Sequence, residues 1–144
     1  MAADRRAEVT WTGELFTGSG TITSVQSGAF GPLDVSWPAR TEEPNGKTSP
    51  EELIAAAHAS CYCMALSNGL AKGGNPPTAL RASATVTFVP GTGITKSALT
   101  VVGVVPGIAA DGFAAAAEAA KDGCPVSGAL KGNVELSVDA RLEG

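Results

Sequence analysis

The chain has 144 residues, of which 44% are hydrophobic, 17% are charged and 5% are aromatic. This length suits a single domain, because two domains of ordinary size would need a longer chain. Lysine and arginine total 10 against 14 aspartate and glutamate residues, which gives a formal net charge of −4. The acidic balance argues against nucleic acid or an anionic membrane as the main partner, because both favour clustered positive charge.

The cellular compartment of the protein is predicted from its apolar runs and its cysteine count. We expect no apolar run to approach the roughly 20 residues that cross a bilayer. The polar first ten residues lack the apolar region of a secretory signal, so a cytoplasmic protein is predicted. Three cysteines are present, and an odd number in a cytoplasmic chain argues against a disulfide scaffold. At least one thiol is therefore expected to be either reactive or simply buried.

Short runs typical of β-strands occupy the first part of the chain. Residues 9–12 and 21–25 alternate apolar and polar side chains, and residues 33–37 form a weaker run. Glycine at both ends of residues 18–20 predicts a tight turn before the second run. The three runs predict a meander with one buried and one solvated face. The polar residues 38–49 that follow predict a loop.

A long helix is predicted next. Ser49 suits the N-cap, Pro50 suits the first helical position, and Glu52 completes a capping box with Ser49. The helix is expected to run to about Lys72, where two glycines end it. Small apolar residues cover almost every face, and a helix of this kind is buried in a core or in a subunit interface.

Three long β-type runs follow, with helical segments before the last. The runs are predicted to form long antiparallel strands, and they cover residues 79–89, 94–105 and 134–142. A turn is predicted at residues 90–93, a helix at 111–121, and a second helix start at 124–130. This order predicts an α+β fold, because a doubly wound parallel sheet requires strict alternation of strands and helices.

Two cysteines lie in the predicted long helix. Side chains two positions apart on a helix point to nearly opposite faces, so Cys61 and Cys63 cannot share a metal ion or a disulfide there. Their spacing is not that of a zinc site, and the chain has one histidine. We therefore expect neither a metal site nor a cofactor.

Cys124 and His58 each allow two interpretations. Cys124 precedes Pro125 at a predicted helix start, where backbone N–H groups favour a thiolate, but it could also be an inert buried residue. His58 lies three residues before Cys61 and could form a nucleophilic pair with it. A buried, hydrogen-bonded structural histidine is the favoured interpretation, because no third group that would orient the ring is evident.

Arg40 and Glu51 form a candidate charged pair. An arginine close to an apolar helix needs a carboxylate partner, and Glu51 at the start of the helix is near in sequence. A guanidinium held near Cys61 would stabilise its thiolate. The alternative is that Arg40 is a solvated loop residue and that Glu51 serves only the helix end.

Two motifs together resemble a known family. Residues 49–61 (SPEELIAAAHASC), followed by MALS at 64–67, closely resemble the helix of the osmotically inducible protein C family. The sequence GCPVS at residues 123–127 resembles that family's second cysteine motif. The resemblance extends from about Glu8 to Glu143. The GCPVS form is closer to the osmotically inducible branch than to its organic hydroperoxide resistance relatives.

The resemblance implies a fold and an activity. It implies antiparallel sheets packed around a long buried central helix, in an intertwined homodimer with two active sites at the interface. It also implies a cytoplasmic thiol peroxidase of the oxidative and osmotic stress response that reduces organic hydroperoxides and, more weakly, hydrogen peroxide. No cofactor, nucleic acid or membrane is implied. Two rival functions are a non-catalytic redox sensor or apolar-ligand-binding member of the fold and, less favoured, a Cys/His hydrolase.

The resemblance also implies residue roles. Cys61 corresponds to the peroxidatic cysteine, Cys124 to the resolving cysteine, Arg40 to the active-site arginine and Glu51 to its carboxylate partner. The implied cycle forms a sulfenic acid on Cys61, then a Cys61–Cys124 disulfide, which an external dithiol, with a lipoylated protein as one candidate, reduces. Cys63 departs from the family pattern, in which a residue other than cysteine is usual.

Overall fold

A computed structural model of the chain describes residues 1–143, and the chain divides into two compact units. The first unit comprises residues 1–50 and the second begins at Glu51. The second unit contains all three cysteines and the histidine.

The first unit is built on a three-stranded antiparallel meander, as predicted. Its strands, in spatial order β1-β2-β3, are β1 (Ala7–Thr12), β2 (Ser19–Val25) and β3 (Leu33–Val35). The tight turn predicted at residues 18–20 is wrong, because β2 already begins at Ser19. Gly20 pairs with Trp11 across the sheet, and a Cβ on Gly20 would lie 2.6 Å from the Trp11 ring. This glycine therefore makes room for the indole.

A short helix, α1 (Trp37–Thr41), follows the third strand. The hydroxyl of Ser36 accepts a hydrogen bond from the Ala39 N–H at 3.2 Å, which caps the helix, and Pro38 lies in its first turn. The strand predicted for residues 33–37 is therefore too long, and the loop predicted for residues 38–49 begins as a helix. Arg40 lies on this helix and not in a loop.

The second unit, as described to residue 143, combines three helices with a mixed sheet of three strands, and the α+β prediction is confirmed. The elements are α2 (Pro50–Lys72), β4 (Ala79–Val89), β5 (Gly93–Val104), α3 (Ala110–Gly123), α4 (Pro125–Leu130) and β6 (Glu135–Leu142). The central strand β5 pairs antiparallel with β4 and parallel with β6. The antiparallel prediction for the last strand is wrong, because α3 and α4 carry the chain back to the end at which β5 begins.

The long helix α2 buries one face in the core of the second unit. Its buried residues are spaced seven and then four positions apart and are Glu51, His58, Tyr62, Leu66 and Leu70. The apolar members pack in one cluster with Leu99 and Val101 of β5 and with Phe113 and Ala117 of α3. The other faces of α2 are half-buried or exposed in the single chain. The single chain therefore does not bury this helix on every side.

Among the described residues, α2 is also the one helix whose length and composition would allow it to cross a membrane. The expectation that no apolar run reaches this length is therefore wrong for α2. A single helix of this kind is weak evidence for a membrane span, because the core helix of a soluble protein meets the same criterion.

Candidate active site

Two thiols from separate elements meet in the second unit. Cys61 lies in the middle of α2 and is half-buried, whereas Cys124 lies between α3 and α4 and is 1% exposed. The Cys124 backbone is fixed from both sides: its N–H donates to the Ala120 carbonyl at 2.9 Å, and its carbonyl accepts from the Gly128 N–H at 3.0 Å. The thiols of Cys61 and Cys124 are close enough for each to shift the pKa of the other. The fold thus brings together the two cysteines that the sequence motifs singled out.

The two thiols differ in how readily they ionise. Burial raises the pKa of Cys61, and its contact with Cys124 raises it further, against a smaller opposing effect of the Val126 N–H. Burial also disfavours the Cys124 thiolate, but hydrogen bonds from the Ser127 N–H, from Cys61 and from the Ser127 hydroxyl outweigh it. The pKa of Cys124 therefore lies below its ordinary value. In the single chain, the lower thiol pKa therefore belongs to Cys124 and not to Cys61.

An apolar cavity of about 600 Å³ adjoins Cys61. Its walls come mainly from Met64 and Ala65 of α2 and from Ala116 and Ala120 of α3, and Cys61 itself lines it. Cys124 does not line the cavity and is packed into the core. A small molecule with an apolar part could therefore reach the sulfur of Cys61 from this cavity while Cys124 stays covered.

Cys63 faces away from this pair. It lines a different cavity, of about 660 Å³, together with Pro77 and Leu80. Burial raises the pKa of the Cys63 thiol. The prediction that Cys61 and Cys63 point to different faces is confirmed. Within residues 1–143, no group of three or more histidine, cysteine, aspartate or glutamate residues is arranged to hold a metal ion.

His58 is a buried residue with two serine partners. It is 0% exposed, its Nδ1 lies 2.6 Å from the Ser97 hydroxyl, and its Nε2 lies 2.8 Å from the Ser127 hydroxyl. Burial lowers the pKa of His58, so the ring is neutral near pH 7. The favoured prediction of a structural histidine is confirmed, and the nucleophilic pair with Cys61 does not form, because serine hydroxyls engage both ring nitrogens.

Ser97 and Ser127 are the site residues that the sequence analysis missed. Ser127 was noted only as part of the GCPVS motif, and Ser97 lies in the middle of the β5 strand. The available signal was the histidine itself, because a buried imidazole requires partners for two nitrogens and serine is a common choice.

The charged pair of the sequence analysis is found in two different units. Arg40 is half-buried on α1, with its guanidinium carbon 5.8 Å from the centroid of the Trp37 ring. Glu51, the second residue of α2, is 7% exposed. Arg40 is therefore not the solvated loop residue of the alternative interpretation. Their roles toward Cys61 stay predictions.

The family follows from comparison of the whole chain with known proteins. The sequence profile described as OsmC-like protein matches residues 43–139, a range that includes both site cysteines. The chain belongs to the OsmC-like family. Peroxiredoxin OsmC of Escherichia coli strain K12 is 40% identical to it over 146 residues, with 99% of each chain covered. The same values hold for Peroxiredoxin OsmC of Shigella flexneri. This OsmC-like protein is therefore a thiol peroxidase.

Solved structures of OsmC-like and related proteins share the fold. The organic hydroperoxide resistance protein OhrB of Bacillus subtilis superimposes with a TM-score of 0.69 at 22% identity, covering 94% of this chain and 98% of its own. An OsmC-like protein of Mycoplasma pneumoniae gives a TM-score of 0.70 at 15% identity, covering 99% of this chain and 100% of its own. At such identities the likeness supports the α+β architecture alone.

Proposed function

We propose that this OsmC-like protein reduces organic hydroperoxides to alcohols, and hydrogen peroxide more weakly, with Cys61 as the peroxidatic cysteine and Cys124 as the resolving cysteine. The observation that carries the proposal is the pair of neighbouring thiols, of which one lines an apolar cavity and the other is covered. The names of relatives support it: two are peroxiredoxins, and several solved neighbours are organic hydroperoxide resistance proteins.

In the proposed first step, the Cys61 thiolate attacks the terminal oxygen of the hydroperoxide. The O–O bond breaks, the alkoxide takes up a proton and leaves as the alcohol, and Cys61 becomes a sulfenic acid. The Cys124 thiolate then attacks the Cys61 sulfur, the S–O bond breaks, and hydroxide leaves and is protonated to water. An external dithiol reduces the resulting disulfide, and a lipoylated protein is one candidate reductant.

The first step needs a positive charge near Cys61, because burial and the neighbouring Cys124 both raise the pKa of the Cys61 thiol. We propose that Arg40 supplies this charge and orients the peroxide, and that the Glu51 carboxylate orients Arg40. A planar guanidinium suits both tasks, because it presents several N–H donors and stays charged at every relevant pH.

We also propose a cytoplasmic homodimer. Apolar side chains that a lone soluble chain would cover are exposed, among them Met64 on α2, at 71%, and Phe16, at 64%. The faces of α2 outside the core are lined with alanine, methionine and cysteine, as in a subunit interface. All three cysteines are free thiols, as expected in a reducing compartment.

Steady-state turnover with a dithiol tests the proposal. The enzyme should consume many equivalents of cumene hydroperoxide per subunit, Cys61→Ser should abolish consumption, and the matched control Cys63→Ser should retain it. Consumption of about one equivalent per subunit would instead support the redox sensor. Continued turnover by Cys61→Ser would remove Cys61 from the nucleophile role. Light scattering of the eluted protein would test the dimer, which predicts twice the mass of the 14.3 kDa chain.

A further inference from the structure

The imidazole of His58 joins three elements of the second unit. Its Nδ1 lies 2.6 Å from the hydroxyl of Ser97 on β5, and its Nε2 lies 2.8 Å from the hydroxyl of Ser127 on α4. All three side chains are at most 1% exposed, so water does not compete for the two hydrogen bonds. A neutral ring forms both bonds with its proton on either nitrogen, because each serine hydroxyl can donate or accept. The long helix α2 is therefore tied through one ring to the central strand and to the short helix α4.

The hydrogen bond from His58 to Ser127 lies next to the two site cysteines. Cys61 follows His58 by three residues on α2, which is about one helical turn. Cys124 is the N-cap of α4, three residues before Ser127, and its carbonyl closes that turn by accepting from the Gly128 N–H at 3.0 Å. The hydrogen bond and the cysteine pair are thus neighbouring contacts between the same two segments of the chain.

The walls of the apolar cavity also bring the two cysteines together. Cys61 lines the cavity with Gly123 and Pro125, which are the residues on either side of Cys124. Cys124 belongs to the apolar core, and Cys61 packs against that same core. The position of Cys124 relative to Cys61 is therefore set by the segment that carries it, and Ser127 is a buried polar anchor of that segment.

We propose that His58 is a positioning residue for the step that closes the disulfide, and that its bond to Ser127 holds Cys124 at the distance from which it attacks Cys61. The inference rests on the proposed function, and it assigns a task to a histidine that the proposed chemistry does not otherwise use. Ser97 fixes the ring from its other nitrogen, so Ser127 is held against the central strand as well as against α2. Serines engage both ring nitrogens, so His58 takes no part in proton transfer at the sulfurs.

The step that this arrangement assists is intramolecular. The Cys124 thiolate attacks the sulfur of the Cys61 sulfenic acid, an S–S bond forms, the S–O bond breaks, and hydroxide leaves and is protonated to water. The rate of such a step depends steeply on distance and angle, and a displacement of about 1 Å can cost about 100-fold. Loss of the His58 bond should therefore slow closure of the disulfide. The attack on the peroxide does not involve Cys124 and should be unchanged.

The test measures disulfide formation without peroxide. The full-length chain carrying Cys63→Ser is equilibrated with mixtures of reduced and oxidised glutathione, and the fraction with a Cys61–Cys124 disulfide is measured by mass after alkylation. Oxidised glutathione takes two electrons from the two thiols and becomes two molecules of reduced glutathione, so the equilibrium constant reports how well the fold holds the two sulfurs together. Adding His58→Leu should lower this constant by about 10- to 100-fold.

Three further substitutions separate positioning from a general loss of stability. His58→Gln keeps a polar group near the place of Nε2 and should retain most of the equilibrium constant. Ser127→Ala removes the same hydrogen bond from its other end, so it should lower the constant too, and the double variant with His58→Leu should be no worse than His58→Leu alone. Leu70→Ala removes a core side chain further along α2 and should lower the free energy of unfolding without changing the constant.

The peroxide reaction gives a second readout of the same positioning. His58→Leu should form the Cys61 sulfenic acid at the rate of the parent chain and then accumulate the sulfinic acid, because closure of the disulfide is slow.

An unchanged glutathione equilibrium constant in Ser127→Ala would overturn the proposal, as would equal losses in Leu70→Ala and His58→Leu. A constant in His58→Gln as low as that in His58→Leu would also overturn it. If His58→Leu does not fold, Ser127→Ala and His58→Gln decide. The glutathione measurement uses no peroxide, so failure of the peroxidase proposal would leave its result intact.

Discussion

The apolar cavity beside Cys61 predicts that a bulky residue in its wall should lower activity on organic hydroperoxides selectively. Ala116 of α3 lines the cavity, and Ala116→Leu adds three carbon atoms there. These carbons would displace about three methylene-sized groups of a bound organic tail. At about 0.8 kcal/mol for each buried CH₂, the substrate loses roughly 2.4 kcal/mol of binding free energy in the transition state. This corresponds to about a 60-fold fall in kcat/KM for cumene hydroperoxide.

The assay compares two substrates and two variants. Hydrogen peroxide has no tail, so its kcat/KM should change by no more than about twofold, which is the size expected of a change in wall packing alone. Ala115→Leu, one position earlier on α3, is the matched control, because Ala115 is exposed and does not line the cavity. Equal losses for both peroxides in Ala116→Leu, or the same pattern in both variants, would refute the assignment of the cavity to the organic tail.

Three further predictions concern the cysteine pair, its charge and the core. Cys124→Ser should leave the first turnover intact and let Cys61 over-oxidise, seen as a mass gain of two or three oxygens; normal cycling would give the resolving role to another thiol. Arg40→Ala should raise the pKa of Cys61 by about one unit or more, which moves the pH dependence of the first turnover upward; an unchanged titration would exclude Arg40 from the site. Gly103→Ala should destabilise the fold by about 1–3 kcal/mol in urea unfolding, because the new Cβ would lie 2.5 Å from the Phe113 ring; an unchanged midpoint would contradict this packing.

Elements with local start and stop signals could be predicted from the sequence. The long helix α2 begins at Pro50 and ends before two glycines, as expected from its capping residues. The direction of β6 could not be predicted from its own residues, because it depends on the connection through α3 and α4. The presence of a predicted helix between two strands was the signal, since parallel neighbours need such a crossover. The short helix α1 was missed because its cap, Ser36, lay inside a predicted strand.

The candidate site was predictable in its chemistry and not in its geometry. Motifs pointed to Cys61 and Cys124, but the contact between their side chains depends on how α3 packs, and residue spacing does not encode that. A buried, hydrogen-bonded histidine was predicted at position 58, whereas the identity of its hydrogen-bond partners was not. Ser97 and Ser127 come from distant elements, so their convergence on one ring arises only in the folded second unit.

Mapping of the disulfide formed with one equivalent of cumene hydroperoxide tests the central claim most directly. The chain is treated without reductant, digested under non-reducing conditions and analysed by mass spectrometry. The account predicts one cross-linked peptide pair that joins Cys61 to Cys124, with Cys63 still free and one equivalent of alcohol released. Recovery of Cys124 as a free thiol after the alcohol has been released, or a disulfide that joins Cys61 to any other cysteine, would contradict it.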